Sequence, residues 1–278
     1  MSERIQGIGL GLRNSFLSEV ARREDGPDFF EFFPHQFHGY GGGLRRSFEA
    51  IASRFPLITH NTSLSVGGPD ALHPDVLRTL RETLRETGGG WWSDHLCWSG
   101  ARGAHTSELL PLPFSAEAVD HVVARARQAQ DAVGGRLALE NVSALIRTPG
   151  GTMTEAQFTA EILERGDLLM LLDVNNVVVN SKNFGGRPED FIDGIPLDRV
   201  AHIHLSGHTV TRHAAYDTHT CPIPDEVWDL YTYTLRRAGR MIPSVIEWDT
   251  DIPTYDEVLA EVDRARDVAG AALYREAA

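Results

Sequence analysis

Six short apolar runs carry a carboxylate or an imidazole at or near their ends, and these side chains bind divalent metal ions. The residues concerned are His60, His95, Glu140, Asp173, His204 and Glu247. If these side chains meet, their carboxylates cannot all ionise at close range without compensating positive charge. Divalent cations would supply that charge, so the pattern predicts a metal centre with more than one ion. Because no thiolate cluster is present, the ligands suit iron, manganese, zinc or cobalt rather than an iron–sulfur cluster.

A second set of candidate ligands lies in a loop, where Asp217 and His219 are two positions apart. On an extended segment, residues at i and i+2 point to the same side, so both side chains could bind one ion. His208 lies nearby in the sequence and extends this set to a third metal position. Taken alone, Asp217 would equally suit a turn and His219 a solvent-exposed position.

The segment VAHIHLSGH places imidazoles in an apolar strand pattern. His202 and His204 would share one face of the strand, since successive strand residues alternate between faces. His204 lies nearer the carboxyl end, where the site is expected, and is assigned as a ligand. His202 lies deeper, and we interpret it as a residue that orients the ligands or packs in the core rather than as a ligand. Cys97 is expected to be a buried apolar residue.

The elements that must position these residues alternate between apolar runs and segments of helical periodicity. The runs are Ile8–Leu12, Phe29–Phe33, Pro56–His60, Trp91–Trp98, Arg136–Asn141, Leu168–Asn176, Val200–Leu205 and Ser244–Asp249. The alternation predicts βαβ units, and their number in this length favours a closed α/β barrel of the TIM-like (β/α)8 type. We therefore expect a single domain over residues 1–278, with the metal site at the C-terminal ends of the strands.

The chain has 278 residues and a net charge of −13, from 26 basic and 39 acidic side chains. This balance argues against a nucleic-acid backbone as the main partner, since phosphate binding depends on Lys and Arg. The 2 cysteines are too few for a disulfide framework, and neither a signal peptide nor a bilayer-spanning run is visible. We expect a soluble, cytoplasmic protein that binds neither nucleic acid nor membrane.

A series of motifs occurs in an order that is specific when the motifs are taken together. They are THNTSLSVGG (59–68), SDHLCW (93–98), ELLPLPFS (108–115), ALENVS (138–143), LLDVNNVVVN (171–180), HIHLSGH (202–208), DTH (217–219) and IEWD (246–249). From about Gly7 to Asp249, the chain closely resembles the multinuclear non-haem iron-dependent oxidative enzymes, a family that includes the methanobactin-forming oxidase. The resemblance implies a TIM-like barrel with two or three iron ions of mixed Fe(II)/Fe(III) valence at its mouth.

The resemblance also implies a role for each matching residue. It assigns His60, His95, Glu140, Asp173, His204 and Glu247 to two adjacent iron positions, with Glu140 as the bridge. It assigns Asn176, His208, Asp217 and His219 to a third iron or its surroundings. These residues are the predicted metal ligands, and Glu140, His204 and Asp217 are the predicted catalytic residues.

The family implies a chemistry and partners as well. Its members use iron and dioxygen to modify ribosomally made precursor peptides, commonly at Cys and in some members at Asp or Asn. Many work with a separate partner protein that recruits the leader segment of the peptide. His35 and Gln36 stand where related sequences often have Glu and Asn, so the resemblance does not assign the substrate.

Two other functions are compatible with a ring of His, Glu and Asp at a barrel mouth. One is a redox-inert divalent-metal barrel of the sugar isomerase, epimerase or abasic-site endonuclease type, although the charge of −13 argues against the nuclease. The other is a metal-stabilised binding module without catalytic activity. Oxidative modification of a precursor peptide is the function that we expect from the sequence.

Overall fold

Parallel strands close into a barrel in the computed structural model, which describes residues 5–274. The strands are β1 (Ile8–Gly11), β2 (Phe29–Phe32), β3 (Leu57–His60), β4 (Trp91–His95), β5 (Trp98–Ala101), β6 (Ala104–Leu110), β7 (Arg136–Glu140), β8 (Leu169–Asp173), β9 (Val200–Leu205), β10 (His208–Val210), β11 (Ala215–Asp217) and β12 (Ser244–Ile246). The order around the barrel is β1-β12-β9-β8-β7-β4-β3-β2. Every neighbouring pair is parallel. The predicted TIM-like barrel is confirmed, and positions 1–4 and 275–278 of the predicted domain lie outside the described residues.

Helices alternate with the barrel strands along the chain. They are α1 (Leu17–Val20), α2 (Pro34–Phe37), α3 (Gly42–Ala52), α4 (Pro74–Thr87), α5 (Ala116–Val133), α6 (Glu155–Gly166), α7 (Val174–Phe184), α8 (Pro188–Gly194), α9 (Asp225–Ala238) and α10 (Tyr255–Leu273). Neighbouring helices such as α5 and α6, or α9 and α10, pack against each other around the barrel. Between residues 5 and 274, no helix is long and apolar enough to cross a lipid bilayer.

Local sequence sets the ends of several helices. Ser115 caps α5 by accepting a hydrogen bond from the Ala118 N–H, and Thr154 caps α6 within a reciprocal capping box. Gly239 ends α9 in the left-handed conformation. The last helix, α10, passes through Gly270 and continues to Leu273.

The long predicted strands end earlier than the sequence suggested. Asp173 ends β8, because its side chain accepts a hydrogen bond from the Asn176 N–H and thereby caps α7. Asn175 and Asn176 therefore lie in the first turn of a helix rather than in a strand. Likewise, β4 ends at His95, and Trp98 begins β5, which pairs with β6 in an inserted antiparallel hairpin.

The inside and the outside of the barrel wall carry different residues. Along β9, Ile203 and Leu205 belong to the large apolar cluster that the strands form with the helices. His202 and His204 are equally buried but contact Glu31 of β2, a strand that is not a neighbour of β9. The two histidines therefore point into the barrel, as the alternation of strand residues predicts.

A second hairpin, β10–β11, follows β9 and pairs His208 with Asp217. It packs against α7. Gly207 permits this return of the chain, since a Cβ at that position would lie 2.2 Å from the carbonyl oxygen of Cys221. The hairpin thereby brings the Asp217–His219 loop to the ends of the barrel strands.

Candidate metal centre

The carboxyl ends of β3, β4 and β7 bring His60, His95 and Glu140 together. The Nε2 atoms of His60 and His95 lie 3.4 and 3.2 Å from the same Glu140 Oε2. All three side chains are buried. His60 Nδ1 is 2.8 Å from Ser93 Oγ, so Nε2 is the ring nitrogen that faces the carboxylate. These side chains form a compact set of two nitrogen ligands and one oxygen ligand.

Glu140 also belongs to a second group, with Asp173, His204 and Glu247, whose ligand atoms all lie within 4.8 Å of one another. His204 Nδ1 lies 3.4 Å from Glu140 Oε1 and 2.9 Å from Glu247 Oε2. One carboxylate oxygen of Glu140 thus faces His60 and His95, while the other faces His204. Glu140 is therefore shared by the two groups of candidate ligands.

Several polar atoms of these groups lack the hydrogen bonds that burial normally demands. Within residues 5–274, the buried atoms without a partner include His95 Nδ1, Glu140 Oε2, Asp173 Oδ2, Asn176 Oδ1, His204 Nδ1 and His219 Nε2. Each buried polar group without a hydrogen bond lowers the free energy of unfolding by about 1–3 kcal/mol. A cluster of six such atoms in one place therefore needs an explanation. Cations seated among these nitrogen and carboxylate atoms would supply the missing partners, and the donors fit iron and similar transition metals.

The imidazoles of the first group are neutral at physiological pH. Burial lowers the pKa of His60 to about 4, and the opposing charges of Glu31 and Glu140 recover only part of the loss. Burial also lowers the pKa of His95 to about 4. Since a metal ligand must be deprotonated, these two side chains are ready to bind an ion without releasing a proton.

The second group has the opposite electrostatics. Burial alone would lower the pKa of His204, but the charges of Glu31, Glu247 and Glu140 raise it well above its ordinary value. Burial raises the pKa of Asp173 well above its ordinary value, and neighbouring acidic groups add to the effect. A cation that binds here would displace protons and relieve the repulsion between carboxylates.

Asp217 and His219 lie side by side next to the second group, with 2.6 Å between Asp217 Oδ1 and His219 Nε2. His219 Nδ1 faces Asp249 Oδ2 at 3.0 Å and Glu247 Oε2 at 3.5 Å. The predicted proximity of Asp217 and His219 is found, but the extended geometry is wrong. His219 has φ 51°, in the left-handed region, where a non-glycine residue is strained.

His208 lies apart from these ligand groups. Its Nδ1 is 2.7 Å from Asn175 Oδ1, and its Nε2 is 3.0 Å from Glu226 Oε1, so protein oxygens engage both ring nitrogens. Asn175 in turn donates a hydrogen bond from Nδ2 to Asp217 Oδ1 at 2.7 Å. His208 thus supports Asp217 through Asn175. Asn176, in contrast, is nearly buried and lines the groove above the ligands.

The sequence reasoning missed Glu31, which lies beneath His204. Its carboxylate is 2.5 Å from His204 Nε2 and 3.1 Å from His202 Nε2. The only local signal was a single carboxylate in the aromatic run FFEFF. Burial tends to raise the pKa of Glu31, but the charges of His204 and His60 and its hydrogen bonds hold the pKa well below the ordinary value.

Arg13 was also missed. Its guanidinium contacts Glu247 Oε1 at 3.3 Å and Asp249 Oδ1 at 2.6 Å, and it lies over the ring of Phe33 at 4.7 Å. Arg13 therefore holds the two carboxylates that approach His219. Cys97 is buried, as predicted.

A groove of about 1310 Å³ opens above the ligand groups. His35, from the segment that departs from related sequences, lines this groove. Leu145 and Ile146, on the loop after β7, are 55% and 62% exposed on its rim. Asp217 and His219 also line this groove.

Solved structures with the same fold belong to proteins with low sequence identity. One is D-psicose 3-epimerase from Clostridium cellulolyticum, with a TM-score of 0.61, 13% identity and coverage of 97% of this chain and 100% of that chain. Another is endonuclease IV from Thermus thermophilus, with a TM-score of 0.60, 15% identity and coverage of 95% of this chain and 99% of that chain. At this identity, the similarity shows the TIM-barrel fold.

Sequence relatives cover nearly the whole chain. A UPF0276 protein of Caulobacter vibrioides is 39% identical over 261 residues, which are 94% of this chain and 93% of that protein. A UPF0276 protein of Acaryochloris marina is 37% identical over 262 residues, 94% of each chain. The family model described as RiPP precursor modification enzyme MbnB/TglH/ChrH matches residues 7–270. This chain therefore belongs to the MbnB/TglH/ChrH family of RiPP precursor modification enzymes.

Proposed function

We propose that this protein is an iron- and dioxygen-dependent enzyme that oxidatively modifies a Cys, Asp or Asn side chain of a ribosomally made precursor peptide. The observation that carries the proposal is the position of Glu140, whose two oxygens face separate groups of buried ligands. A single-ion site would not need a carboxylate in this position. Membership of a peptide-modifying family supports the class of substrate.

Each ligand group would hold one ion. The first ion would be bound by His60, His95 and Glu140, and the second by Glu140, Asp173, His204 and Glu247. Asp217 and His219 lie next to Glu247 and are the candidates for a third ion, with Asn176 nearby. Iron, when bound, supplies the one-electron chemistry with dioxygen that protein side chains lack.

The protein residues themselves bind, orient and deprotonate the substrate. Asp217 lines the groove, and Asn175 fixes one of its oxygens. A carboxylate in this place can accept a proton from a substrate side chain that enters the mouth. The buried walls around Glu140 and His204 exclude water, which strengthens the electrostatic interactions within the site.

The size of the groove favours a peptide over a small sugar. Its volume of about 1310 Å³ exceeds the range of roughly 300–1,000 Å³ that is usual for small-molecule pockets. Large exposed apolar side chains at a groove rim, here Leu145, Ile146 and Tyr216, are typical of an interaction surface. We expect the modified segment to lie in the groove, while a separate partner protein recruits the leader.

The proposal is tested by loading the purified protein with Fe(II) without oxygen and counting the ions per chain. Precursor peptides encoded beside the gene are then added with dioxygen, and oxygen uptake and peptide mass are followed. We expect at least two ions and a peptide-dependent uptake that the Glu140→Gln variant lacks. Activity with zinc or manganese alone, without oxygen uptake, would support the redox-inert epimerase or endonuclease alternative that shares this fold.

A further inference from the structure

A buried chain of hydrogen bonds leads from His204 towards the amino end of the barrel. Glu31 Oε1 lies 2.5 Å from His204 Nε2, and Glu31 Oε2 lies 3.1 Å from His202 Nε2. Trp91, the first residue of β4, donates from Nε1 to His202 Nδ1 at 3.3 Å. His202, His204 and Glu31 are at most 3% exposed, so no water competes for these contacts.

The partners in this chain determine which nitrogen of each imidazole carries a proton. The indole of Trp91 can only donate, so His202 Nδ1 must offer a lone pair and His202 Nε2 must carry the proton. Glu31 accepts that proton with one oxygen and the His204 Nε2–H with the other. His204 Nδ1 is then the atom left to face Glu140 and Glu247.

Glu31, His202 and His204 are also close enough to hold an ion of their own. The hydrogen bonds that these residues already make argue against a metal ion between them. Among the described buried atoms without a partner, these three residues contribute only His204 Nδ1, which faces the upper ligand group. The lower set is therefore fully paired, whereas the upper groups contain the unpaired atoms.

We propose that Glu31 is a positioning residue, which fixes His204 Nδ1 as the atom that binds metal, and that Trp91 and His202 hold Glu31 to this role. The inference rests on the proposed metal centre. A carboxylate that accepts the second N–H of a metal-binding imidazole orients the ring and increases its basicity.

The Glu31→Gln variant tests this because an amide has one acceptor oxygen and one donor nitrogen. While Trp91 is present, His202 Nε2 keeps its proton and takes the acceptor oxygen. The Nε2–H of metal-bound His204 then meets the amide NH₂ without an acceptor. The Trp91→Phe change removes the constraint on His202, so the amide can turn and accept from His204 again.

The affinity for Fe(II) is measured without oxygen by competition with a chromophoric chelator. We expect Glu31→Gln to weaken binding by about 10- to 100-fold. The double variant Glu31→Gln/Trp91→Phe should recover at least fivefold relative to Glu31→Gln, with Trp91→Phe alone as the reference. The matched control is Glu31→Gln/Trp92→Phe, because Trp92 Nε1 donates to Gly134 O and not to His202. This control should show no recovery.

An unchanged affinity of Glu31→Gln, or equal affinities of the two double variants, would overturn the role of Glu31. A wild-type protein that binds no Fe(II) would instead overturn the proposed metal centre. If Glu31→Gln does not fold, the wild-type protein still decides the question. Long-range ¹H–¹⁵N NMR of the Zn(II)-loaded protein should show a proton on His204 Nε2 and metal on Nδ1, and the reverse pattern contradicts the proposal.

Discussion

Glu140 and His204 approach across the barrel mouth, with 3.4 Å between Glu140 Oε1 and His204 Nδ1, although their strands are separated by β8. The nitrogen is buried and has no hydrogen-bond partner within residues 5–274. An ion bound by both side chains would supply the partner that this nitrogen lacks.

Glu140→Gln should lose more than one ion per chain, because both ligand groups use this carboxylate. The metal-free variant should stay folded, since glutamine keeps the size of the side chain and the change removes no hydrogen bond at Oε2. Metal content by mass spectrometry and thermal unfolding check both statements. Glu108→Gln, on the exposed part of the groove, is the control and should keep all ions.

Substitutions of Asp173 should separate metal binding from helix capping. Asp173→Asn keeps an acceptor for the Asn176 N–H, so it should lose metal with little change in metal-free stability. Asp173→Ala should lose metal and also destabilise the protein by about 1 kcal/mol, the usual cost of a lost N-cap. Chemical unfolding of the metal-free variants measures the difference. Equal stabilities of the two variants would contradict the capping role.

Acidification should release the ions in sequence. His204, whose pKa is raised, is protonated in the metal-free protein at neutral pH, so its group loses affinity by about tenfold per pH unit for each proton displaced. His60 and His95, whose pKa values are about 4, impose no such competition above about pH 5. When the protein is dialysed stepwise from pH 8 to pH 5, the ions that remain should therefore be those bound by His60 and His95. A His60→Gln variant that retains the same ions at pH 5 would count against this assignment.

His208 and His219 should differ in their effect on metal binding. His219→Gln should lose an ion or weaken its binding strongly, because the His219 imidazole lies in a cluster of close ligand atoms with Glu247 and Asp249 and beside Asp217. His208→Gln should retain every ion, because within residues 5–274 His208 belongs to none of the clusters of close ligand atoms and contacts Asn175 and Glu226 instead. Ion counts and Fe(II) affinities of the two variants decide whether His208 is a ligand, as the family resemblance implies.

The groove rim should contribute to peptide binding without affecting the metal. Ile146→Ser removes an exposed apolar side chain from the rim and should raise the KM for the peptide by about tenfold, with kcat unchanged. Val210→Ser is the matched control, since Val210 is 59% exposed but does not line the groove. An equal rise in KM for both variants would show that the groove rim does not bind the peptide.

The local sequence was sufficient to predict the barrel and the place of its central candidate ligands at the mouth. Strands in a parallel barrel all end at one face, so a residue such as His60 or Glu140 at the end of an apolar run is placed at the mouth by topology alone. Alternation along β9 also separated the interior His202 and His204 from the outer Ile203. These features depend on strand direction and period, which are local properties of the chain.

The tertiary structure alone decided which residues support the ligands. Glu31 and His204 are 173 positions apart in the sequence, and Arg13 and Glu247 are 234 apart. His208 contacts Asn175 and Glu226, which the packing of the hairpin brings beside it. A hydrogen bond between distant segments depends on the side-chain positions that barrel closure fixes, and no local pattern in either segment records its partner.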